Sequence, residues 1–121
     1  MIAIVDDDES VREATKSLVR SLGYEAATFG SAEEFLGSWQ LKTTACLITD
    51  VRMPGMSGVE LARKVFEIRP DLPVVIITGF SGESVEEATD HTNIYKVLEK
   101  PLHPAHITRI VSETLRAAQR T

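Results

Sequence analysis

Three consecutive aspartates near the start of the chain are the first residues whose types and spacing could do chemistry. Asp6, Asp7 and Asp8 directly follow an apolar run, and Asp50 follows a second one. Neighbouring carboxylates disfavour each other's ionisation unless a cation offsets their charge. Hard oxygen ligands of this kind suit Mg²⁺, or Mn²⁺ as the alternative. If the fold brings Asp50 beside the first group, the pattern predicts a divalent metal site.

A hydroxyl and a lysine occupy comparable places later in the chain. Thr78 and Gly79 follow the apolar run at 74–77, and Lys100 comes just after the run at 94–98. A carboxylate whose charge is screened by a metal can act as a nucleophile on phosphorus, while a hydroxyl and a lysine hold the transferred oxygens. Because phosphoryl transfer needs little else from a protein, these residues together predict transfer to a carboxylate.

Five short apolar runs predict the strands that would position these groups. The runs at 2–5, 45–49 and 74–77 are nearly continuous, which is typical of strands buried on both faces of a parallel sheet. The runs at 24–29 and 94–98 contain polar or charged residues, which indicates edge strands.

Helical patterns separate these strands. They are predicted from the residues after the first acids to Gly23, from Ser31, from about Gly58 to Pro70, from Ser84 to about Asp90, and from Pro104 onward. In the first, Val11, Ala14, Leu18 and Leu22 recur at helical spacing. In the second, Phe35, Leu36 and Trp39 are the predicted packing residues, followed by a loop at 40–44.

The strict alternation of strands and helices predicts an α/β fold. We expect a flavodoxin-like (βα)₅ three-layer sandwich whose five-stranded parallel sheet has the strand order 2-1-3-4-5. Ligands of such sheets bind beyond the carboxyl ends of the central strands. The aspartates, Thr78 and Lys100 should therefore meet at one edge of the sheet.

Composition limits the class of protein. The 121 residues predict one domain spanning 1–121, and the basic ending allows a linker to an output domain beyond it. The net charge of −5 argues against direct nucleic-acid binding. No apolar run is long enough to span a membrane, and no secretory pattern opens the chain, so we expect a cytoplasmic domain without membrane contact. The single cysteine, Cys46, is expected to be a buried, inert thiol.

Four motifs at the predicted strand ends resemble those of the receiver domains of two-component response regulators. They are VDDD at 5–8, TDVRMPGMSGVEL at 49–61, ITG at 77–79 and EKP at 99–101. The resemblance spans essentially the whole chain. The MPGMSGVE stretch is similar to that of receivers ahead of helix-turn-helix output domains or in hybrid histidine kinases. This likeness implies a signalling domain rather than a metabolic enzyme.

The resemblance also implies roles for the acidic residues. Asp50 would accept a phosphoryl group from the phosphohistidine of a sensor histidine kinase or a phosphotransfer domain. Asp7 would bind Mg²⁺ directly and Asp6 mainly through water, and the backbone carbonyl of Arg52 would be a further ligand. Asp8 matches no ligand of the family.

For the phosphoryl oxygens, the resemblance implies a hydrogen bond from Thr78, access and an N–H from Gly79, and an ion pair with Lys100. The bond from Lys100 to Pro101 would be cis, as in the family. Phosphorylation would shift the conformation and allow dimerisation through the face of the fourth helix, the fifth strand and the last helix. Slow autodephosphorylation would restore the resting state.

One position departs from the family pattern. Receivers usually have an aromatic residue three positions before the lysine, where this chain has Val97. Tyr95 lies two residues earlier, on the same side of a regular strand, so whether it replaces the usual aromatic is open.

Two alternatives to the receiver interpretation remain. A phosphatase of the haloacid-dehalogenase class would use Asp6 as its nucleophile, but such enzymes have a further acidic pair after the lysine, and no aspartate follows Asp90. A pure interaction module would keep the acidic pocket without phosphorylation. Zinc is not proposed, because His91, His103 and His106 lack partner ligands at matching spacing.

Overall fold

The computed structural model describes residues 1–78, 94–99 and 104–119. The strands are β1 (Ile2–Val5), β2 (Ala26–Phe29), β3 (Cys46–Asp50), β4 (Val74–Thr78) and β5 (Ile94–Glu99). The helices are α1 (Glu9–Ser21), α2 (Ala32–Leu36), a 3₁₀-helix (Trp39–Thr43), α3 (Gly58–Ile68) and α4 (Pro104–Gln119), which is the last predicted helix. The predicted helix from Ser84 to about Asp90 lies outside the described residues. Within the described ranges, no helix is both long enough and apolar enough to cross a membrane.

One parallel sheet contains all of these strands, in the order β2-β1-β3-β4-β5. The order confirms the prediction. Every residue of β1, β3 and β4 is buried, whereas three of the four residues of β2 are only half-buried. The nearly continuous apolar runs therefore form the central strands, because helices cover both of their faces.

Two apolar clusters, one on each face of the sheet, pack the helices against it and make the fold a three-layer sandwich. On one face, strand residues such as Val5 and Leu47 pack with Phe35 of α2 and Leu61 of α3. On the other face, the cluster combines Ile2, Ile4, Cys46 and Ile48 with Val19 of α1 and with Ile107 and Val111 of α4. The alternation of side chains along each strand divides them between the two clusters.

The first helix begins and ends as its sequence predicts, but its buried side is shifted. Thr15 and Val19 are its buried residues, while Ala14, which the spacing placed on the packing side, is exposed. The hydroxyl of Thr15 donates to the carbonyl oxygen of Val11 at 2.8 Å, so this buried polar group costs little. Gly23, with a φ of 93°, follows the helix in a conformation that favours glycine.

The second helix is shorter than predicted, and the prediction that Trp39 packs in the core was wrong. The helix ends at Leu36, and Gly37 is its C-cap. Ser38 then caps a separate 3₁₀-helix, Trp39–Thr43, where a loop was expected. In this 3₁₀-helix Leu41 is buried, whereas Trp39 is 73% exposed.

Candidate functional site

Three aspartates converge at the carboxyl edge of the sheet. β1 and β3 pair with Val5 opposite Thr49, so Asp6 and Asp50 continue from neighbouring positions. Carboxylate oxygens of Asp6, Asp7 and Asp50 all lie within 4.8 Å of one another. Asp6 and Asp50 are buried, and Asp7 is exposed. The structure thus brings together the three carboxylates that the sequence predicted as metal ligands.

The third aspartate of the run has a different role. The Asp8 carboxylate accepts hydrogen bonds from the backbone N–H groups of Ser10 and Val11, at 2.9 and 3.2 Å, and so caps α1. The backbone N–H of Asp8 itself donates to the Asp6 carboxylate at 2.9 Å. Capping therefore accounts for Asp8, while its neighbours Asp6 and Asp7 face Asp50.

The carbonyl oxygen of Asp6 has a partner that the sequence did not reveal. Arg12, one turn into α1, donates from Nη1 to this oxygen at 2.7 Å. The backbone N–H of Asp6 donates to the carbonyl oxygen of Phe29 at 3.2 Å, which links the same residue to β2. These bonds fix the backbone from which the Asp6 carboxylate projects.

Thr78 belongs to the same edge. β3 and β4 pair with Asp50 opposite Ile77, and Thr78 is the next residue. Both Asp50 and Thr78 are the last residues of their strands rather than the first residues beyond them, and Thr78 is buried. Among predicted site residues, Gly79 and Lys100, with the Lys100–Pro101 bond, lie outside the described residues.

The fifth strand, β5, contains a register shift at Tyr95, the residue that was considered as a replacement for the usual aromatic. Val74 pairs with Ile94, but Val75 pairs with Lys96, so Tyr95 is the extra residue of this irregularity. The expectation that Tyr95 and Val97 share a face assumed regular alternation, which a bulge interrupts. Thr78 pairs with Glu99, so the last described residues of β4 and β5 lie opposite each other.

The loop after Asp50 forms one wall of the site. An open depression of about 450 Å³ at this edge is lined by Asp7, Val51, Arg52, Met53, Pro54 and Ser57. Arg52, the predicted carbonyl ligand, thus borders the same space as Asp7. The loop begins where the Val51 N–H donates to the carbonyl oxygen of Ile77, and it ends where the Ser57 hydroxyl caps α3.

Two glycines shape this loop, for different reasons. Gly55 has a φ of 81°, a left-handed conformation that favours glycine. Gly58 is instead needed for close packing, because a Cβ there would lie 2.1 Å from the backbone carbonyl oxygen of Asp50. Its N–H also donates to the carbonyl oxygen of Val51 at 2.8 Å. A side chain at position 58 would therefore displace Asp50 or the start of α3.

Two further residues contact this region and were not anticipated. The Thr49 hydroxyl, fully buried, donates to the carbonyl oxygen of Asp50 at 3.0 Å. Glu33 of α2 accepts a hydrogen bond from the backbone N–H of Met56 at 2.9 Å. Thr49 ends an apolar run and was predicted only as part of a strand. Glu33 lies at the start of a helix, where acidic residues are explained by capping. Neither residue therefore gave a sequence signal of a role at the site.

The acidic cluster fits a hard divalent cation. It supplies carboxylate oxygens only, which suit Mg²⁺ or Mn²⁺ and do not select zinc. It is the one group of three or more His, Cys, Asp and Glu residues found in the described part of the chain with such an arrangement. His106 is exposed on α4, and the other two histidines lie outside the described residues.

Comparisons with known proteins agree with this geometry. The profile of the response regulator receiver domain matches residues 2–112. The chain is 32% identical over 117 residues to the response regulator receiver protein CpdR of Brucella abortus, which covers 97% of this chain and 98% of CpdR. It is 47% identical over 79 residues to the response regulator protein TmoT of Ectopseudomonas mendocina, covering 65% of this chain and 36% of TmoT. The match thus spans about a third of that longer relative.

Solved structures show the same fold. A CheY-like response regulator receiver domain protein from Methanospirillum hungatei superposes with a TM-score of 0.90 at 25% identity, covering 98% of this chain and 95% of that one. The BeF3-activated DrrB receiver domain gives a TM-score of 0.85 at 26% identity, covering 95% and 96%. Since the family profile runs through nearly the whole chain and the fold agrees, the chain belongs to the response regulator receiver domain family of two-component signalling.

Proposed function

We propose that Asp50 accepts a phosphoryl group from the phosphohistidine of a sensor histidine kinase or a phosphotransfer domain. The observation that supports this most directly is the group of Asp6, Asp7 and Asp50, whose oxygens lie within 4.8 Å of one another. Asp50 ends the central strand β3, between the acids after β1 and Thr78 at the end of β4. It is therefore the carboxylate with ligands for a cation on one side and a hydroxyl on the other.

The transfer is a displacement at phosphorus. An oxygen of the Asp50 carboxylate forms the new bond to phosphorus while the bond from phosphorus to the histidine nitrogen breaks. The electron pair of the broken bond and a proton remain on the imidazole, which leaves as neutral histidine. Later attack by water releases inorganic phosphate and restores the carboxylate, so the domain acts as a switch with slow autodephosphorylation rather than as a metabolic enzyme.

Asp6, Asp7, Asp50 and the backbone carbonyl of Arg52 would hold Mg²⁺ or Mn²⁺, with Asp7 as a direct ligand and Asp6 acting mainly through water. When bound, the cation offsets the charge of the carboxylates and of the phosphoryl oxygens that approach them. The chain's own contribution is to hold these oxygens at one edge, which the burial of Asp6 and Asp50 supports.

The remaining groups would hold the transferred phosphoryl group. Thr78 donates its hydroxyl to one oxygen, Gly79 leaves room and offers its N–H, and Lys100 forms an ion pair after first pairing with Asp50. These new contacts exist only in the phosphorylated state, so they shift the population toward a conformation with Thr78 and β5 repacked. Tyr95, at the register shift of β5, is the aromatic residue nearest in sequence to Val97.

The setting of the domain is also a proposal. We infer a single receiver domain over 1–121, in the cytoplasm, and an output domain remains an option, since TmoT is far longer than the matched segment whereas CpdR is matched over 98% of its length. The active form would dimerise through the helix predicted from Ser84 to about Asp90, β5 and α4. Any DNA contact would belong to an output domain. The net charge of −5 supports the absence of nucleic-acid binding by the receiver itself.

Phosphorylation of the purified protein tests this function. Incubation with Mg²⁺ and acetyl phosphate should add one phosphoryl group, and peptide mapping should place it on Asp50. Asp50→Asn should abolish the mass gain, whereas Glu67→Gln, which changes an exposed acid on α3, should not. Label on Asp6 would overturn the receiver mechanism in favour of a phosphatase, and an unchanged mass with both acetyl phosphate and a kinase would favour an interaction module.

A further inference from the structure

One hydrogen bond joins α2 to the loop that follows Asp50. The carboxylate Oε1 of Glu33 accepts from the backbone N–H of Met56 at 2.9 Å, across 23 positions of sequence. Glu33 is an exposed residue of the first turn of α2 and contributes no side chain to the acidic cluster. A separation of 2.9 Å is ordinary for a hydrogen bond from a backbone N–H to an oxygen acceptor, so this contact can hold the loop.

The conformation of Gly55 makes the contact possible. Its φ of 81° turns the chain at the tip of the loop, and a Cβ at this position would lie 3.1 Å from Oε1 of Glu33. That separation is tighter than ordinary van der Waals contact, so a side chain would require the carboxylate to shift by a few tenths of an ångström, and it would also be strained by the positive φ. Glu33 and Gly55 therefore form the two sides of one contact.

Hydrogen bonds also hold the two ends of the loop. At the start, the Val51 N–H donates to Ile77, and at the end, the Gly58 N–H donates to the carbonyl oxygen of Val51. Between these points lie Arg52, Met53 and Pro54, which line the depression beside Asp7. Movement of the tip would therefore move the wall that faces the acidic cluster.

We propose that Glu33 is a positioning residue, which holds this loop so that the Arg52 carbonyl is directed at the cation site and the approach to Asp50 keeps its shape. The inference rests on the proposed function and deepens it. Glu33 acts through the backbone of Met56, so what matters is the acceptor oxygen and not the charge. A ligand that is held in place before binding costs less free energy to order, which raises the affinity for the cation.

The variants separate these contributions. Glu33→Ala removes the acceptor, Glu33→Gln keeps an acceptor oxygen of the same reach, and Gly55→Ala displaces the carboxylate from the other side. Glu34→Ala is the matched control, because Glu34 is the adjacent acid of the same turn but accepts from Gly30 instead of from the loop. Circular dichroism of each variant establishes that it is folded.

Two measurements that need no phosphoryl donor then test the inference. Calorimetric titration with Mg²⁺ should show about tenfold weaker binding for Glu33→Ala and for Gly55→Ala, in the range seen when a residue that orients a metal ligand is removed. Glu33→Gln and Glu34→Ala should stay within about twofold of the wild type. Hydrogen exchange of the Met56 amide should speed up in the first pair and not in the second.

The double variant Glu33→Ala/Gly55→Ala decides whether both sides act through one contact. It should bind Mg²⁺ no more weakly than Gly55→Ala alone, because the contact is already lost. Unchanged Mg²⁺ affinity in Glu33→Ala, or equal losses in Glu33→Ala and Glu34→Ala, would overturn the positioning role. Those outcomes are distinct from failure of the proposed function, which is judged on the wild type by the absence of a phosphoryl group on Asp50.

Discussion

Burial controls the reactivity of single residues, and Cys46 shows this most simply. It lies in β3 among the residues packed under α1 and α4, with none of its surface exposed. Desolvation by burial raises the pKa of the Cys46 thiol to about 12. At pH 8 only about one thiol in ten thousand would then be the reactive thiolate.

We therefore expect Cys46 to resist alkylation while the protein is folded. Iodoacetamide at pH 8 should leave the mass of the native protein unchanged and should label the same chain fully in concentrated urea. Labelling of the native protein at the rate seen in urea would contradict the assigned burial. The predicted buried, inert thiol agrees with the structure because an apolar run surrounds the residue on both sides.

The residues of the site could be predicted to the extent that strand ends alone determine them. Asp6, Asp50 and Thr78 end or follow central strands, and the apolar runs identified those strands without ambiguity. Glu33 and Thr49 could not be predicted, because their roles depend on which backbone groups the folded chain places beside them. Spacing along the sequence carries no information about such contacts.

At the scale of elements, one arginine links two connections of the fold. Arg69, after α3, donates from Nη1 to the carbonyl oxygens of Leu41 and Thr44. Its Nη2 donates to the Asp71 carboxylate at 2.8 Å, and this hydrogen bond is the main cause that lowers the pKa of Asp71. The side chain of Arg69 thereby joins the 3₁₀-helix to the turn before β4.

Arg69→Ala should lower the free energy of unfolding by about 1–3 kcal/mol, because two carbonyl groups lose a charged donor. The exposed ion pair with Asp71 should add little to this loss. Urea unfolding followed by circular dichroism would measure the change. Arg63→Ala, which removes an exposed arginine of α3, is the control and should change the free energy of unfolding by less than about 0.5 kcal/mol.

Element boundaries explain the main error of the sequence-based prediction. Phe35 and Leu36 suggested a helix that continued to Trp39, but Gly37 ends α2 and Ser38 begins a new turn. The sequence contains a signal for ending a helix, Gly37, and one for starting another, Ser38. The prediction followed the spacing of the apolar residues instead. The type of each described strand and α-helix was predictable, whereas the 3₁₀-helix, in which Leu41 is buried, lies where a loop was predicted.

At the scale of the whole molecule, the strand order could be predicted from which runs were fully apolar. The free-energy cost of bringing the acidic residues together is a property of the entire fold. Folding forces Asp6, Asp7 and Asp50 together, and the repulsion between like charges opposes the folded state. A cation that binds only the folded chain offsets this cost, by about 2.7 kcal/mol at a hundredfold excess over its dissociation constant. Stability and cation binding are therefore linked.

Asp7→Asn separates the two sides of this linkage, because Asp7 is the exposed member of the cluster and its replacement removes one charge without opening the core. Without Mg²⁺, we expect Asp7→Asn to be more stable than the wild type by about 1 kcal/mol, since one repulsion is relieved. With saturating Mg²⁺ the order should reverse, because the wild type gains a stabilisation that the variant lacks. Thermal unfolding of both proteins, with and without Mg²⁺, measures this, and Glu67→Gln should follow the wild type in both conditions. An equal rise in Tm with Mg²⁺ for the wild type and Asp7→Asn would show that the cation binds elsewhere.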